Sequence, residues 1–155
     1  MTDLAGRLRA EAAAEERGVS VQFVERPAAD SLEEAAAILG IPPRGIVKTL
    51  VVRRRGGYLF ALIPGDRQIS WPKLRAVVGV NKLTMPPAEE ALEATGYQRG
   101  TITPFGSSTE WPVYADERIR GERIAMGAGA HGYSLFVDAD GLIDSFSAEV
   151  ADISD

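Results

Sequence analysis

Two apolar runs flank a pair of glycines in the segment Ile46-Val-Lys-Thr-Leu-Val-Val-Arg-Arg-Arg-Gly-Gly-Tyr-Leu-Phe-Ala-Leu-Ile63. Runs rich in β-branched and aromatic residues form strands, and glycines between two such runs are typical of a hairpin turn. The segment therefore predicts a strand over 46–54, a turn over 55–57 and a second strand over 58–63. Because both faces of the first strand would be mainly apolar, we expect it to be a central strand.

Further helices and strands are predicted on both sides of this hairpin. Helices are expected where a capping residue or a proline precedes an amphipathic run, over 2–17, 31–39, 71–78, 86–93 and 141–146. Strands are expected where β-branched and aromatic residues gather, over 19–24, 82–85, 111–114, 123–126 and 133–137. In the first helix, which Thr2 would cap, Leu4, Leu8 and Ala12 share one stripe that we expect to face the core. Pro112 suggests that its strand lies at a sheet edge.

The predicted helices and strands alternate irregularly along 155 residues, of which 45% are hydrophobic. A chain of this size can bury one sizeable core, and no linker-like stretch divides it. We therefore expect one α/β domain over 1–155, with a mixed, strongly curved, barrel-like β-sheet flanked by helices.

The composition excludes several kinds of site. The chain has no cysteine and one histidine, His131, so disulfides, thiolate nucleophiles and multi-histidine metal sites are ruled out. We expect no metal and no cofactor. A hydrolase built on Ser70, Ser107 or Ser108 with His131 would lack a nucleophile-elbow sequence. No run approaches the roughly 18 apolar residues of a membrane span, so we expect a cytoplasmic protein without membrane contact.

Charge is spread unevenly along the chain, whose net charge is −5. The segment 44–82 carries a net +8, whereas the rest carries −13. This asymmetry indicates either a basic face suited to a few phosphates or a chance clustering of solvated charges. Within this segment Lys48 lies in the apolar first strand of the hairpin, where an unpaired charge is costly. Its side chain either extends to water or lies at the floor of a pocket, aimed at a phosphate or a ligand carboxylate.

A second unusual stretch is Gly96-Tyr-Gln-Arg-Gly-Thr-Ile-Thr-Pro-Phe-Gly106, with three glycines and a proline in eleven residues. Such a stretch is either a surface turn or a loop that presents backbone amides to a ligand. We call it the 96–106 loop. A second glycine-rich turn follows over 127–132 and contains His131.

Taken in order, these motifs resemble the YbaK family, which includes the editing domain inserted in bacterial prolyl-tRNA synthetases and free-standing aminoacyl-tRNA deacylases. The resemblance covers residues 20–146. It rests on Val47-Lys-Thr-Leu-Val51, Pro64-Gly-Asp-Arg67, Asn81-Lys-Leu83, the 96–106 loop and the glycine-rich turn before Tyr133–Val137.

The resemblance implies a trans-editing deacylase for a small amino acid, such as Ala or Cys, mischarged on tRNA(Pro). Family members are thought to use a substrate hydroxyl or a water in place of a protein nucleophile. The implied catalytic residues are Lys48, Gly100, Thr101, Ile102, Thr103 and Pro104. The implied substrate-binding residues are Thr49, Gly96, Phe105, Gly106, Gly127 and His131.

Alternatives to this interpretation remain open at the level of sequence. Thr49 could be an ordinary strand residue, and His131 could be exposed and inert. The expected partner is a tRNA acceptor end, with an aminoacyl-tRNA synthetase as a second possible partner. The whole chain could instead be a non-catalytic module that binds a tRNA end or nucleotide and docks on a synthetase.

Overall fold

Two β-sheets organise residues 4–155, which are the residues that the computed structural model describes. Five α-helices occur in this range, α1 (Leu4–Glu16), α2 (Leu32–Leu39), α3 (Trp71–Val78), α4 (Ala88–Thr95) and α5 (Ala139–Phe146). Seven strands accompany them, β1 (Val21–Glu25), β2 (Val47–Arg54), β3 (Gly57–Pro64), β4 (Val113–Asp116), β5 (Arg123–Gly127), β6 (Tyr133–Asp138) and β7 (Glu149–Ala151). The predicted cap at Thr2 lies outside the described residues.

The strands divide into a three-stranded sheet and a four-stranded sheet. The first has the order β1-β6-β5 and is antiparallel, and the second has the order β2-β3-β4-β7 with both parallel and antiparallel pairs. Between them, a single β-bridge in the described residues joins Ile46 to Ala125. The α/β class is therefore confirmed, but the single barrel-like sheet was wrong, because neither sheet closes or curls strongly within residues 4–155.

The hairpin forms as predicted, with Arg54 paired to Gly57 across a two-residue turn. The strand that is buried on both faces, however, is the second strand of the hairpin, β3. On β3, Phe60 and Leu62 enter one core, whereas Leu59 and Ile63 enter another on the opposite face. The expectation of a central first strand was wrong, since β2 is the outer strand of its sheet.

The strand expected over 82–85 and the edge position expected for the strand near Pro112 were both wrong. The strand expected over 82–85 reduces to one bridge between Thr84 and Arg53. Pro86 and Pro87 follow at once, and they have no N–H groups to extend the pairing. β4 lies inside its sheet between β3 and β7, so the edge inferred from Pro112 was wrong. Pro112 comes just before the strand, where its carbonyl accepts the Phe60 N–H at 2.8 Å.

Helix α1 packs through a face other than the predicted one. Leu4 and Leu8 are exposed, and the buried residues are Gly6, Ala10 and Ala14. A Cβ added to Gly6 would lie 1.9 Å from the Gly129 carbonyl oxygen, so the two backbones are in direct contact. Only a face of small residues allows this approach, which the leucine stripe could not reveal. At 13 residues, α1 is the longest helix in the described range and is too short to cross a bilayer.

Candidate active site

A cavity of about 690 Å³ lies between β2 of the four-stranded sheet and the end of β5 of the three-stranded sheet, and both residues of the Ile46–Ala125 bridge line it. Consecutive β2 residues from Ile46 to Val51 form one wall, and the end of β5, from Ala125 to Gly127, forms another. The rest of the wall comes from α2, the start of α4 and the 96–106 loop, together with residues within 26–29, 85–87 and 130–134. The cavity therefore has access to the unpaired side of an outer strand.

Half of the residues predicted for the site line this cavity. They are Lys48, Thr49, Gly100, Ile102, Gly127 and His131. The structure brings them together from β2, the 96–106 loop and the turn after β5. The other six predicted residues do not line it, and these are Gly96, Thr101, Thr103, Pro104, Phe105 and Gly106.

The charged groups around the cavity are basic. Arg26, Lys48 and Arg99 line it together with His131, and no Asp or Glu of the described chain does so. The protein as a whole has a net charge of −5. A cation-lined cavity on an acidic protein attracts an anionic ligand such as a phosphate.

Lys48 is half-buried, and its Nζ donates a hydrogen bond to the backbone carbonyl of Arg67. Within residues 4–155 it forms no ion pair, so its charge is not neutralised by contact. Burial lowers the pKa of this lysine, and the negative charges of Asp66 and Glu33 partly offset that effect. The remaining N–H donors of the ammonium group are available to a ligand.

Arg67, whose carbonyl accepts the Lys48 hydrogen bond, is held in place by residues near the end of the chain. The Arg67 guanidinium donates to Ser154 Oγ at 2.7 Å and to the Ser154 carbonyl at 3.1 Å. Ser154 Oγ in turn donates to Asp116 Oδ2 at 2.7 Å. Asp116 is fully buried, which opposes its ionisation, but hydrogen bonds from Ser154, Arg118 and the Ile153 amide lower its pKa overall. No sequence signal indicated this chain of contacts, which joins residues far apart in sequence.

The 96–106 loop enters the cavity at Gly100, which lies exposed at the rim with a φ of +89°. Beyond Gly100 the loop is buried. A turn is closed by Thr101, whose N–H and hydroxyl both donate to the Gln98 carbonyl, at 3.0 and 2.7 Å. In the described part of the chain, the N–H groups of Ile102 and Thr103 donate no hydrogen bond. Amides without a partner are costly in a protein interior, and Ile102 lines the cavity, so its N–H can serve a ligand that enters there.

Another unpaired polar group lies on the cavity wall. The Thr49 hydroxyl is buried and has no hydrogen-bond partner in the described residues. Buried hydroxyls in native proteins are nearly always paired. Thr49 can therefore bond a ligand that enters the cavity.

Three of the predicted binding residues instead connect the 96–106 loop to the rest of the fold. Gly96 and Gly106 accept hydrogen bonds from the Arg9 guanidinium of α1, at 3.0 and 2.9 Å. Phe105 is fully buried with its ring edge-on to Phe146, and its carbonyl accepts from the Tyr97 hydroxyl at 2.7 Å. The structure thus gives these three residues packing contacts away from the cavity.

Arg26 and Arg99 are the charged cavity residues that were not predicted from the sequence. They stand alone in sequence, so a search for basic segments does not find them. Of the basic segment 44–82, Lys48 is the cation that lines the cavity. Arg53, by contrast, pairs with Glu90 at 2.7 Å, and Lys73 pairs with Asp152 and Asp155. Among residues 4–155 no group of three His, Cys, Asp or Glu side chains is placed to hold a metal ion.

Comparison with known proteins identifies relatives of this fold. The proline-tRNA ligase of Kosmotoga olearia is 34% identical over 115 residues, which are 74% of this chain and 20% of that enzyme. The corresponding ligase of Thermotoga neapolitana is 32% identical over 126 residues, 81% of this chain and 22% of that enzyme. The chain thus spans about a fifth of the length of these relatives.

A solved structure also matches over nearly its full length. It is described provisionally as a trans-editing enzyme for prolyl tRNA synthetase, with a TM-score of 0.90, 29% identity and 97% coverage of both chains. A model of the aminoacyl-tRNA editing domain matches residues 26–145. Since this match spans most of the chain, the protein belongs to the aminoacyl-tRNA editing domain family, the YbaK family that its sequence motifs resemble.

Proposed function

We propose that this protein is a trans-editing deacylase, which hydrolyses the ester between a small amino acid, such as Ala or Cys, and a mischarged tRNA(Pro). The observation that carries the proposal is the cavity itself, which among the described residues is lined by three cationic side chains and no carboxylate, with the unpaired amide of Ile102 in its wall. The amino acid and the tRNA are inferred from the family resemblance. The likeness to the solved structure described provisionally as a trans-editing enzyme supports the assignment to trans-editing.

Binding of the tRNA end would use the cations. The ammonium of Lys48 donates to a carbonyl, pairs with no carboxylate among residues 4–155, and can hold the terminal phosphate. Arg99 is exposed at the rim, where it can meet a second phosphate. The buried Thr49 hydroxyl can bond the terminal ribose or the amino group of the aminoacyl moiety. These contacts orient an ester that is already chemically activated.

Hydrolysis needs one attacking oxygen and stabilisation of one oxyanion. A water, or a free hydroxyl of the terminal ribose acting first, forms a bond to the ester carbonyl carbon, and the carbonyl electron pair moves onto its oxygen. The amide of Ile102 would donate to that oxyanion, and one such donor is worth roughly 10²–10³ in rate. The oxyanion then collapses, the bond to the ribose oxygen breaks, and that oxygen takes up the proton that the attacking oxygen releases. Where the ribose hydroxyl attacked, water cleaves the resulting ester in the same way.

The experiment that tests this proposal is a deacylation panel. The protein is incubated with Ala-tRNA(Pro), Cys-tRNA(Pro), Pro-tRNA(Pro) and several unrelated mischarged tRNAs, and the release of each amino acid is measured. Release of Ala or Cys, with Pro-tRNA(Pro) left intact, is the expected result. Because the chain has no cysteine and one histidine, we expect release to continue in the presence of EDTA, once tRNA folding is controlled for.

Binding without hydrolysis of any ester would contradict the proposal and would favour the alternative of a non-catalytic module that binds a tRNA end or nucleotide. Docking on a synthetase and a cytoplasmic location stay predictions. Co-purification with prolyl-tRNA synthetase would test the first, and cell fractionation the second.

A further inference from the structure

One arginine of α1 holds both ends of the 96–106 loop. Arg9 Nε donates to the Gly106 carbonyl at 2.9 Å, and Arg9 Nη2 donates to the Gly96 carbonyl at 3.0 Å. The guanidinium carbon also lies 4.3 Å from the centre of the Tyr97 ring. The Tyr97 hydroxyl donates to the Phe105 carbonyl, so the contacts continue into the loop.

These contacts determine the distance between the ends of the loop. A guanidinium is planar and rigid, with N–H donors in a fixed fork, and two of them are used here on two carbonyls ten positions apart. A compact loop whose ends are held together keeps its apex in one place. The apex of this loop is Gly100 to Ile102, the part that meets the cavity.

The two glycines that Arg9 contacts, Gly96 and Gly106, have no room for a side chain. A Cβ on Gly96 would lie 2.7 Å from Arg9 Nη2, and a Cβ on Gly106 would lie 2.5 Å from the Tyr97 hydroxyl. Helix α1 itself is held by the contact between Gly6 and Gly129 in the turn after β5. Thus α1 connects the two glycine-rich segments beside the cavity, although it precedes residue 26, where the match to the family model begins.

We propose that Arg9 is a positioning residue, which sets the conformation of the 96–106 loop and thereby the place of the Ile102 amide in the cavity wall. Arg9 does not line the cavity and touches no reacting atom. Its effect on catalysis rests on the proposed function, whereas its effect on the loop does not.

The test compares Arg9→Lys and Arg9→Met with Arg17→Lys as a matched control. Arg17 follows α1 and makes contacts of the same kind, donating to the Ser145 carbonyl at 3.0 Å and lying 3.7 Å from the centre of the Phe146 ring, which packs on Phe105 and not on the apex of the loop. Lysine keeps the charge but cannot span two carbonyls, and methionine removes the charge. Each variant is assayed for single-turnover deacylation against tRNA concentration, for thermal unfolding, and for amide hydrogen exchange.

Both Arg9 variants should lower the maximal single-turnover rate, on the order of ten-fold for Arg9→Lys and a hundred-fold for Arg9→Met, as expected for a displaced reactive group. The tRNA concentration at half-maximal rate should rise by about three-fold at most, since Lys48 lies outside the loop and only Arg99 of the proposed phosphate-binding cations moves with it. Amides of residues 97–105 should exchange faster in both. Arg17→Lys should change neither the rate nor the exchange of these amides, even where it lowers the unfolding temperature.

Unchanged loop exchange in both Arg9 variants would overturn the inference, whatever the activity. If Arg9→Met loosens the loop but keeps the wild-type rate, then Arg9 positions the loop without affecting catalysis, and that part of the inference is wrong. A wild-type protein that hydrolyses no aminoacyl-tRNA would contradict the proposed function instead, and the exchange data would still decide whether Arg9 holds the loop.

Discussion

Gly127 and Ile102 are in direct backbone contact, since a Cβ added to Gly127 would lie 2.4 Å from the Ile102 carbonyl oxygen. This contact joins the end of β5 to the part of the 96–106 loop that meets the cavity. The loop is thus held from three sides, by β5 here, by the hydrogen bond from the Gly129 amide to the Thr101 carbonyl, and by Arg9 at its ends.

Gly127→Ala should push the loop away from β5. We expect the single-turnover rate to fall on the order of 10²-fold, with a stability loss of about 1–3 kcal/mol from overpacking. Gly141→Ala is the control, because a Cβ there meets nothing within 4 Å. Rapid-quench assays measure the single-turnover rate of each variant, and urea unfolding measures its stability. A folded Gly127→Ala protein as fast as the wild type would show that the loop is not part of the site.

Gly100→Ala tests the backbone conformation at the cavity rim. With a φ of +89° the alanine is strained by about 1–2 kcal/mol, and the loop should relax away from its present path. Gly121→Ala carries similar strain at φ +76° in open space far along the chain. We expect similar losses of unfolding temperature, and a rate loss on the order of 10²-fold only at Gly100. Equal rates in the two variants would assign Gly100 to an ordinary turn.

Lys48→Met should reduce deacylation on the order of 10²-fold by removing the charge that orients the tRNA end, while the fold survives. Burial lowers the pKa of Lys48, which means that folding disfavours its charged form, so a neutral side chain of similar length should not destabilise the protein. Circular dichroism and thermal unfolding check the fold, and the deacylation assay checks the role. Full activity in this variant would rule out Lys48 as the anchor.

Arg99→Gln should weaken tRNA binding and reduce the slope of log K against log salt by about one ion. The matched variant is Arg55→Gln, an exposed arginine in the hairpin turn that does not line the cavity. Its affinity and slope should equal those of the wild type. Binding isotherms at several salt concentrations decide the question, and equal slopes in both variants would place the tRNA elsewhere.

Lowering the pH should destabilise the contacts near the end of the chain, because two carboxylates there, Asp116 and Asp152, become protonated. Hydrogen bonds outweigh burial to lower the pKa of Asp116, and contacts with Arg118 and Lys73 lower the pKa of Asp152 to about 2. Because the folded-state values lie below the ordinary ones, these groups add stability above about pH 4 and lose it as the pH falls toward 2. Asp116→Asn should cost on the order of 1.5–3 kcal/mol at pH 7, and less at pH 3. A cost that does not vary with pH would contradict this account.

The sequence by itself determined the elements whose signals are local. The hairpin follows from two β-branched runs around glycine, and α2 follows from Ser31, whose hydroxyl accepts the Glu34 N–H as the capping pattern predicts. The Glu34 carboxylate closes back on the Asp30 amide, one residue earlier than expected. The motif order was also sufficient to name the family, and it placed Lys48, Gly100, Ile102 and Gly127 as site candidates, all of which line one cavity.

Tertiary structure decided what depends on contacts between distant residues. Periodicity predicted that the face of α1 with Leu4 and Leu8 would be buried. The buried face is instead the one with Gly6, because the backbone of Gly129 packs directly against it. Arg9 meets Gly106 across 97 positions, and Arg67 meets Ser154 across 87. The split into two sheets depends likewise on how distant strands pair. Such contacts form only when packing brings separate elements together, and no local propensity encodes which partner each will meet.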